Sequence, residues 1–174
     1  YPNLELILVD DKSTDNSVEY VEKHFPKFRI VRNPTNRGFA HTANNCFRES
    51  KGKYFFLVNQ DTVHAPDYIQ HCVERLEADP QIGAIGGKVY KYDFDKNTKT
   101  NIIDTVGEIA LANRRVIDEG QGVEDKGEYE VPGEIFAVSG QNPIYRRTTL
   151  LEVAYPQELS TFGEVFDEDL FMYK

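Results

Sequence analysis

Cysteine is scarce in this chain: Cys46 and Cys72 are the two among 174 residues. They are too few and too far apart for a zinc site or a redox CxxC pair, and each falls on the apolar face of a helix expected from its neighbours' spacing. Both are read as reduced core residues. Positive charge is also in deficit, with 20 Lys and Arg against 29 Asp and Glu, a net charge of −9 and a pI near 4.9. No basic stripe is available to neutralise a nucleic-acid backbone, which excludes nucleic acid as a partner; a phosphorylated ligand would need a metal ion. No apolar run in this segment reaches the length of a membrane span, which leaves peripheral association with a membrane open. The opening YPNLELILVDD has neither the basic region nor the cleavage signal of a secretory peptide. The expected location is the cytoplasm, at most against the inner face of the cell membrane.

What is present is an ordinary globular composition, 40% hydrophobic, in a chain long enough for one domain with a real core. The first half alternates strand and helix patterns. Leu4 to Val9 is an apolar run of strand length; the loop DDKSTDNS leads into a helix with Val18, Val21 and Phe25 on one face, and Asn16 with Glu19 resembles a capping box. A short strand at Arg29 to Arg32 precedes the turn NPTNRG. A helix carrying Ala43, Cys46 and Phe47 then stops near Gly52, and a strand from Tyr54 to Asn59 follows. Pro66 opens a helix with Ile69, Cys72, Val73 and Leu76 on one face, and Ile82 to Ile85 reads as a further strand. Repeated β-then-α units imply an α/β fold with a doubly wound, mostly parallel sheet. The second half has a different texture: the polar KYDFDKNTKTN, short irregular pieces rich in glycine, a strand–turn–strand pattern in EIFAVSGQNPIYRR, a short helix from Thr149 to Val153, and the aromatic tail FGEVFDEDLFMYK. With no repeat or low-complexity linker, residues 1–174 are expected to form a single domain.

Ligands of an open parallel sheet collect at the carboxyl ends of its strands. Two acidic groups are expected there, facing one crevice: Asp10 and Asp11 after the first strand, and Asp61 after FFLVNQ. The apolar run ahead of Asp61 puts its carboxylate at the edge of a core, where it requires a partner. Asp15 is read as a solvated loop or cap residue. A response-regulator receiver domain would use such acidic groups to hold magnesium, and ILVDD resembles its opening. That family, however, expects a hydroxyl residue after its fourth strand, where IGAIGG has none, and leaves the second half unexplained.

The blocks VDDKSTDNSVEYV, NPTNRGFAHTANN, YFFLVNQDTVHAPDYI, IGAIGGKVY, VSGQNPIYRR and FDEDLFMYK resemble, in order, those of the family 2 glycosyltransferases, near the bacterial rhamnosyltransferase-like members. The resemblance implies a GT-A, Rossmann-like fold, a nucleotide-binding half over residues 1–92 and an acceptor-side half over 93–174. It implies inverting transfer of a hexosyl or deoxyhexosyl group from a UDP- or dTDP-linked sugar to a glycan or lipid-linked acceptor, in cell-surface polysaccharide synthesis. Asp10 and Asp11 would recognise base and ribose, a task that suits carboxylates as hydrogen-bond acceptors. Asn59, Gln60 and Asp61 occupy the family's DxD motif; with Asn at its first position, a Mg2+ or Mn2+ ion rests on Asp61, diphosphate oxygens and water. Asn36, Arg37 and Gly38 match a donor-side block, in which Arg37 either touches a phosphate or is an exposed structural arginine, and Asn44 packs or hydrogen-bonds beside the nucleotide. Ser139, Gly140 and Gln141 match the block that approaches the donor sugar and the acceptor, where glycine permits close backbone approach. His41 and His64 are set aside as surface groups.

The same resemblance implies departures. The family's first strand, its following helix and its C-terminal helices are expected beyond this chain, and the general base is expected just after Lys174. Asp167, Glu168 and Asp169 belong to the block before it and are not assigned as catalytic. The chain is read as an internal fragment, inactive as it stands. A non-catalytic nucleotide- or glycan-binding module on the same scaffold is the competing possibility, motivated by Asn59 and by the absent base.

Overall fold

The computed structural model of the protein describes residues 1–154; Asp167, Glu168 and Asp169 lie outside the described residues. In chain order the elements begin with β1 (Ile7–Asp10), α1 (Ser17–His24), β2 (Arg29–Arg32), α2 (Phe39–Glu49), β3 (Tyr54–Phe56) and α3 (Tyr68–Ala78). There follow β4 (Ala84–Ile85), β5 (Val89–Asp93), β6 (Thr98–Thr105), β7 (Glu108–Ala110), β8 (Val116–Asp118), β9 (Ile144–Arg146) and α4 (Arg147–Val153). The described residues fall into two compact units, one comprising Tyr1–Phe55 with residues 146–154, the other Phe56–Tyr145.

The first unit is built on a βαβ arrangement. β1 and β2 pair in parallel, Ile7 opposite Arg29 through Asp10 opposite Arg32, and α2 packs on β1. Val9, Val18, Ala43, Phe47, Phe55 and Leu150 are its buried apolar side chains. The Phe47 and Phe55 rings meet edge to face at 5.3 Å, a favoured aromatic geometry. α4 is tied in by its first residue: the Arg147 backbone N–H donates to the Lys53 carbonyl at 3.0 Å, and its guanidinium donates to Ser50 Oγ at 3.0 Å. β1 begins at Ile7, not Leu4, which is 47% exposed. The expected capping box is not made: Asn16 has φ −90° and ψ 18°, away from the extended conformation an N-cap needs, and its side chain makes no cap. Asp15 takes that place, accepting the Ser17 N–H at 3.0 Å.

The second unit surrounds α3, whose Cys72, Val73 and Leu76 are buried as the 3.6-residue spacing requires. α3 packs on β4, and β4 pairs antiparallel with β9, Ile85 opposite Ile144. β5 and β6 form an antiparallel hairpin with register shifts, and β7 and β8 form another. In β6 the period of two buries Ile103 and Thr105 completely and leaves Asp104 half-buried between them. The strand expected to run to Asn59 ends at Phe56. Val58, at 51% exposure, lacks the second covered face that an all-apolar run implies, and the chain turns instead. Of the expected strand–turn–strand near residue 140, Ile144–Arg146 is a strand and Ala137 makes an isolated bridge to Glu108.

Candidate functional site

The first unit gathers polar groups where β1 ends. Asp10 is buried; its Oδ1 accepts the Ser13 N–H at 2.9 Å, and its carbonyl accepts the Asn33 N–H at 2.8 Å. Asp11 reaches the start of α2. Its carboxylate accepts from Asn33 Nδ2 at 2.8 Å, from the Gly38 N–H at 2.8 Å, and from the Arg37 N–H at 3.1 Å to either oxygen. Desolvation pushes the Asp11 carboxyl upward, but the hydrogen bonds from Asn33, Arg37, Gly38 and Thr42 together outweigh it and hold the group below its ordinary value. Asp11 thus anchors Arg37 and Gly38, the two residues just ahead of α2, and sets an anion beside the positive end of that helix. Gly38 precedes the helix at φ +84° and ψ 178°, with open space where a Cβ would stand.

The other expected residues of this unit lie on the same turn and helix. Asn36 is exposed in the turn. The Arg37 guanidinium lies 3.0 Å from His41 Nε2. Because guanidinium only donates, that nitrogen is an acceptor and the ring proton sits on Nδ1, which is buried without a hydrogen-bond partner among the described residues. Asn44 is almost fully buried and donates to the Ala40 carbonyl at 2.8 Å, as a packed helix residue.

In the second unit, Asn59 and Asp61 lie on a turn. The Asn59 carbonyl accepts the Thr62 hydroxyl at 2.8 Å and the Thr62 N–H at 3.4 Å. Asp61 is exposed, not at a core edge as the apolar run suggested, because the strand stops five residues earlier. His64, set aside from sequence alone, supports this turn. Its ring lies against Phe56 (4.9 Å) and stacks on Tyr68 (5.5 Å), its Nε2 is 3.2 Å from Thr62 Oγ1, and burial lowers its pKa. Among the described residues no three His, Cys, Asp or Glu side chains converge on a metal position. The exposed carboxylate of Asp61 could serve a hard cation whose other ligands are ligand oxygens and water.

Further along the second unit, Ser139 and Asn142 are buried and flank Gly140 and Gln141. Asn142 is held twice: its carbonyl accepts the Tyr68 hydroxyl at 2.5 Å, and its Nδ2 donates to the Gly87 carbonyl at 3.1 Å. Burial pushes the Tyr68 phenol upward, so it stays a protonated donor. Gln141 donates from Nε2 to Asp104 Oδ2 at 2.8 Å.

The model of the Glycosyl transferase family 2 matches residues 1–152. The chain belongs to this family. Among similar curated proteins, the poly-beta-1,6-N-acetyl-D-glucosamine synthase of Staphylococcus epidermidis is 26% identical over 158 residues, covering 89% of this chain and 35% of that protein. The dolichol-phosphate mannosyltransferase of Pyrococcus furiosus is 28% identical over 124 residues, covering 67% and 35%. A glycosyltransferase of Haemophilus influenzae is 35% identical over 92 residues, covering 49% and 28%. The chain therefore spans 28% to 35% of the length of these relatives. In fold, this family 2 chain is similar to a mannosyltransferase of Pyrobaculum calidifontis solved with GDP-Man and Mn2+, with a TM-score of 0.53 and 20% identity over 93% of this chain and 41% of that one. That likeness identifies the GT-A, Rossmann-like α/β fold. No helix among the described residues is long and apolar enough to cross a membrane.

Proposed function

We propose that this family 2 chain is the donor-binding part of an inverting glycosyltransferase, which moves a sugar from a nucleoside diphosphate to the hydroxyl of a glycan or lipid-linked acceptor. The observation that carries this reading is the family match across residues 1–152. Synthesis of a cell-surface polysaccharide is the process it fits, in keeping with the names of the Staphylococcus relatives. UDP- or dTDP-linked sugars are the donors proposed, although the Pyrobaculum structure contains GDP-Man.

Each unit has its own part. In the first, Asp10 and the Asp11-held turn of Asn36, Arg37 and Gly38 recognise the nucleoside, with Asn44 packing the helix behind them; a rigid turn loses little entropy on binding. In the second, Asp61 holds Mg2+ or Mn2+ from the turn formed by Asn59 and Thr62, and Gly140 and Gln141 meet the donor sugar, where glycine permits close backbone approach. A bound divalent ion would offset the charge of the leaving diphosphate.

The test uses Asp61→Asn in the full-length protein. Calorimetry of UDP and dTDP binding, with and without Mn2+, should show the metal-dependent part of the affinity abolished in the variant. Unchanged metal-dependent affinity would sink the assignment of Asp61. Asn59, neutral at a position where the family motif is acidic, favours a second reading as a non-catalytic binding module. Release of nucleoside diphosphate in the presence of donor and acceptor separates the two.

A further inference from the structure

Asp104 had no place in the functional reading, yet the fold builds a rigid support around it. Its neighbours Ile103 and Thr105 are completely buried. Backbone bonds fasten Ile103 on both sides, its N–H donating to the Val123 carbonyl at 2.8 Å and its carbonyl accepting from Gly122 at 2.9 Å. The Thr105 hydroxyl accepts the Gly107 N–H at 3.0 Å and donates to the Gly107 carbonyl at 2.9 Å, closing a tight turn directly after the strand. Gly107 is the residue this turn demands: its φ is +134°, and a Cβ there would come 2.6 Å from Ile135 Cδ1. Strand alternation then presents Asp104 on the face opposite its buried neighbours, where Oδ2 accepts from Gln141. Gln141 is held from the other direction by its neighbour Asn142, through Tyr68 and Gly87.

The chemistry of the pair is directional. An ionised carboxylate only accepts, so it selects the amide edge of Gln141 and excludes the flipped carboxamide. The Gln141 carbonyl oxygen is thereby left as an acceptor of fixed position, suited to a sugar hydroxyl. We infer that Asp104 is a positioning residue that locks the Gln141 carboxamide in the one orientation able to accept a hydroxyl of the donor sugar. The inference rests on the reading of Gln141 as a sugar contact, and the experiment separates the two.

In the full-length protein, calorimetry with Mn2+ compares UDP, dTDP and GDP with UDP-glucose, UDP-N-acetylglucosamine, dTDP-rhamnose and GDP-mannose. The conjugate with the largest gain over its free nucleotide serves for the variants. Gln141→Ala should remove most of that gain, and Asp104→Ala should lower conjugate affinity about tenfold, as for one charge-assisted hydrogen bond, with free nucleotide unchanged. Asp104→Asn can donate as well as accept and so admits the flipped carboxamide; it should lose part of the gain, falling between wild type and Asp104→Ala. Adding Asp104→Ala to Gln141→Ala should cost nothing more. If no conjugate exceeds its nucleotide, or Gln141→Ala is silent, the sugar-contact reading fails. If Gln141→Ala is damaging and Asp104→Ala silent, or if Asp104→Ala weakens nucleotide and conjugate equally, the positioning role fails. Independently of any ligand, the Gln141 side-chain amide protons should exchange more slowly with solvent in the wild type than in Asp104→Ala; equal rates overturn the lock.

Discussion

Replacing Asp11 by Asn removes one acceptor oxygen and the negative charge while preserving shape. In the native turn the carboxylate takes hydrogen bonds from Asn33 Nδ2 and from the backbone amides of Arg37 and Gly38. An asparagine must turn its own NH2 toward one of these donors, leaving that donor unpaired. Hydrogen bonds to a charged group contribute about 1.5–3 kcal/mol, and partial exposure of this site reduces the expected loss to about 1–2 kcal/mol. That corresponds to a roughly 5–30-fold change in a local opening equilibrium. The measurement is amide hydrogen exchange at Arg37 and Gly38 in the full-length protein, where protection at pH 7 should drop by that factor. The pH dependence has a definite sign. The folded carboxyl titrates below the unfolded value of about 3.9, so its stabilisation is complete above that value and is lost as pH falls through the folded pKa. The gap in protection between wild type and variant should therefore close below about pH 4. Equal protection at pH 7, or a gap that persists undiminished into strong acid, would refute the role given to Asp11.

Two further outcomes follow from packing. Gly107→Ala combines a left-handed φ with a Cβ pressed on Ile135 and should destabilise the second unit by about 1–3 kcal/mol, read as a lower urea midpoint; an unchanged midpoint contradicts the geometry. Burial pushes the Cys46 thiol up to about 11, so at pH 8 it should react with a thiol reagent roughly two orders of magnitude more slowly than free cysteine, and prompt labelling of the native protein would contradict its environment.

Much of the first unit was legible because periodicity and local chemistry agree there. β2 spans the four residues expected, and α2 buries Ala43 and Phe47 as their spacing requires. The run Phe55 to Val58 misled because an apolar sequence does not say whether two faces are covered; Val58 meets solvent and the strand is short. The NRG turn was visible, but not the carboxylate that organises it, since Asp11 and Gly38 stand 27 positions apart. Asp104 was hidden for the same reason. Within β6 it looks like the polar member of an ordinary alternation, and its partner lies 37 residues downstream. His41 and His64 are single histidines with no spacing signal, and only the packing reveals that one meets Arg37 and the other braces the turn bearing Asp61.

Gly38 and Gly107 impose different demands on their turns, and Gly38 has the broader consequence. Where Gly107 is crowded, nothing lies within 4 Å of a Cβ built on Gly38. Its requirement is one of handedness alone: the pair φ +84° and ψ 178° is the mirror image of ordinary extended backbone. A D-alanine introduced by semisynthesis would occupy that conformation without strain and leave the Asp11 hydrogen bond intact, whereas L-alanine of identical volume would not. The turn that begins α2 therefore discriminates between enantiomers at a position that places no limit on size.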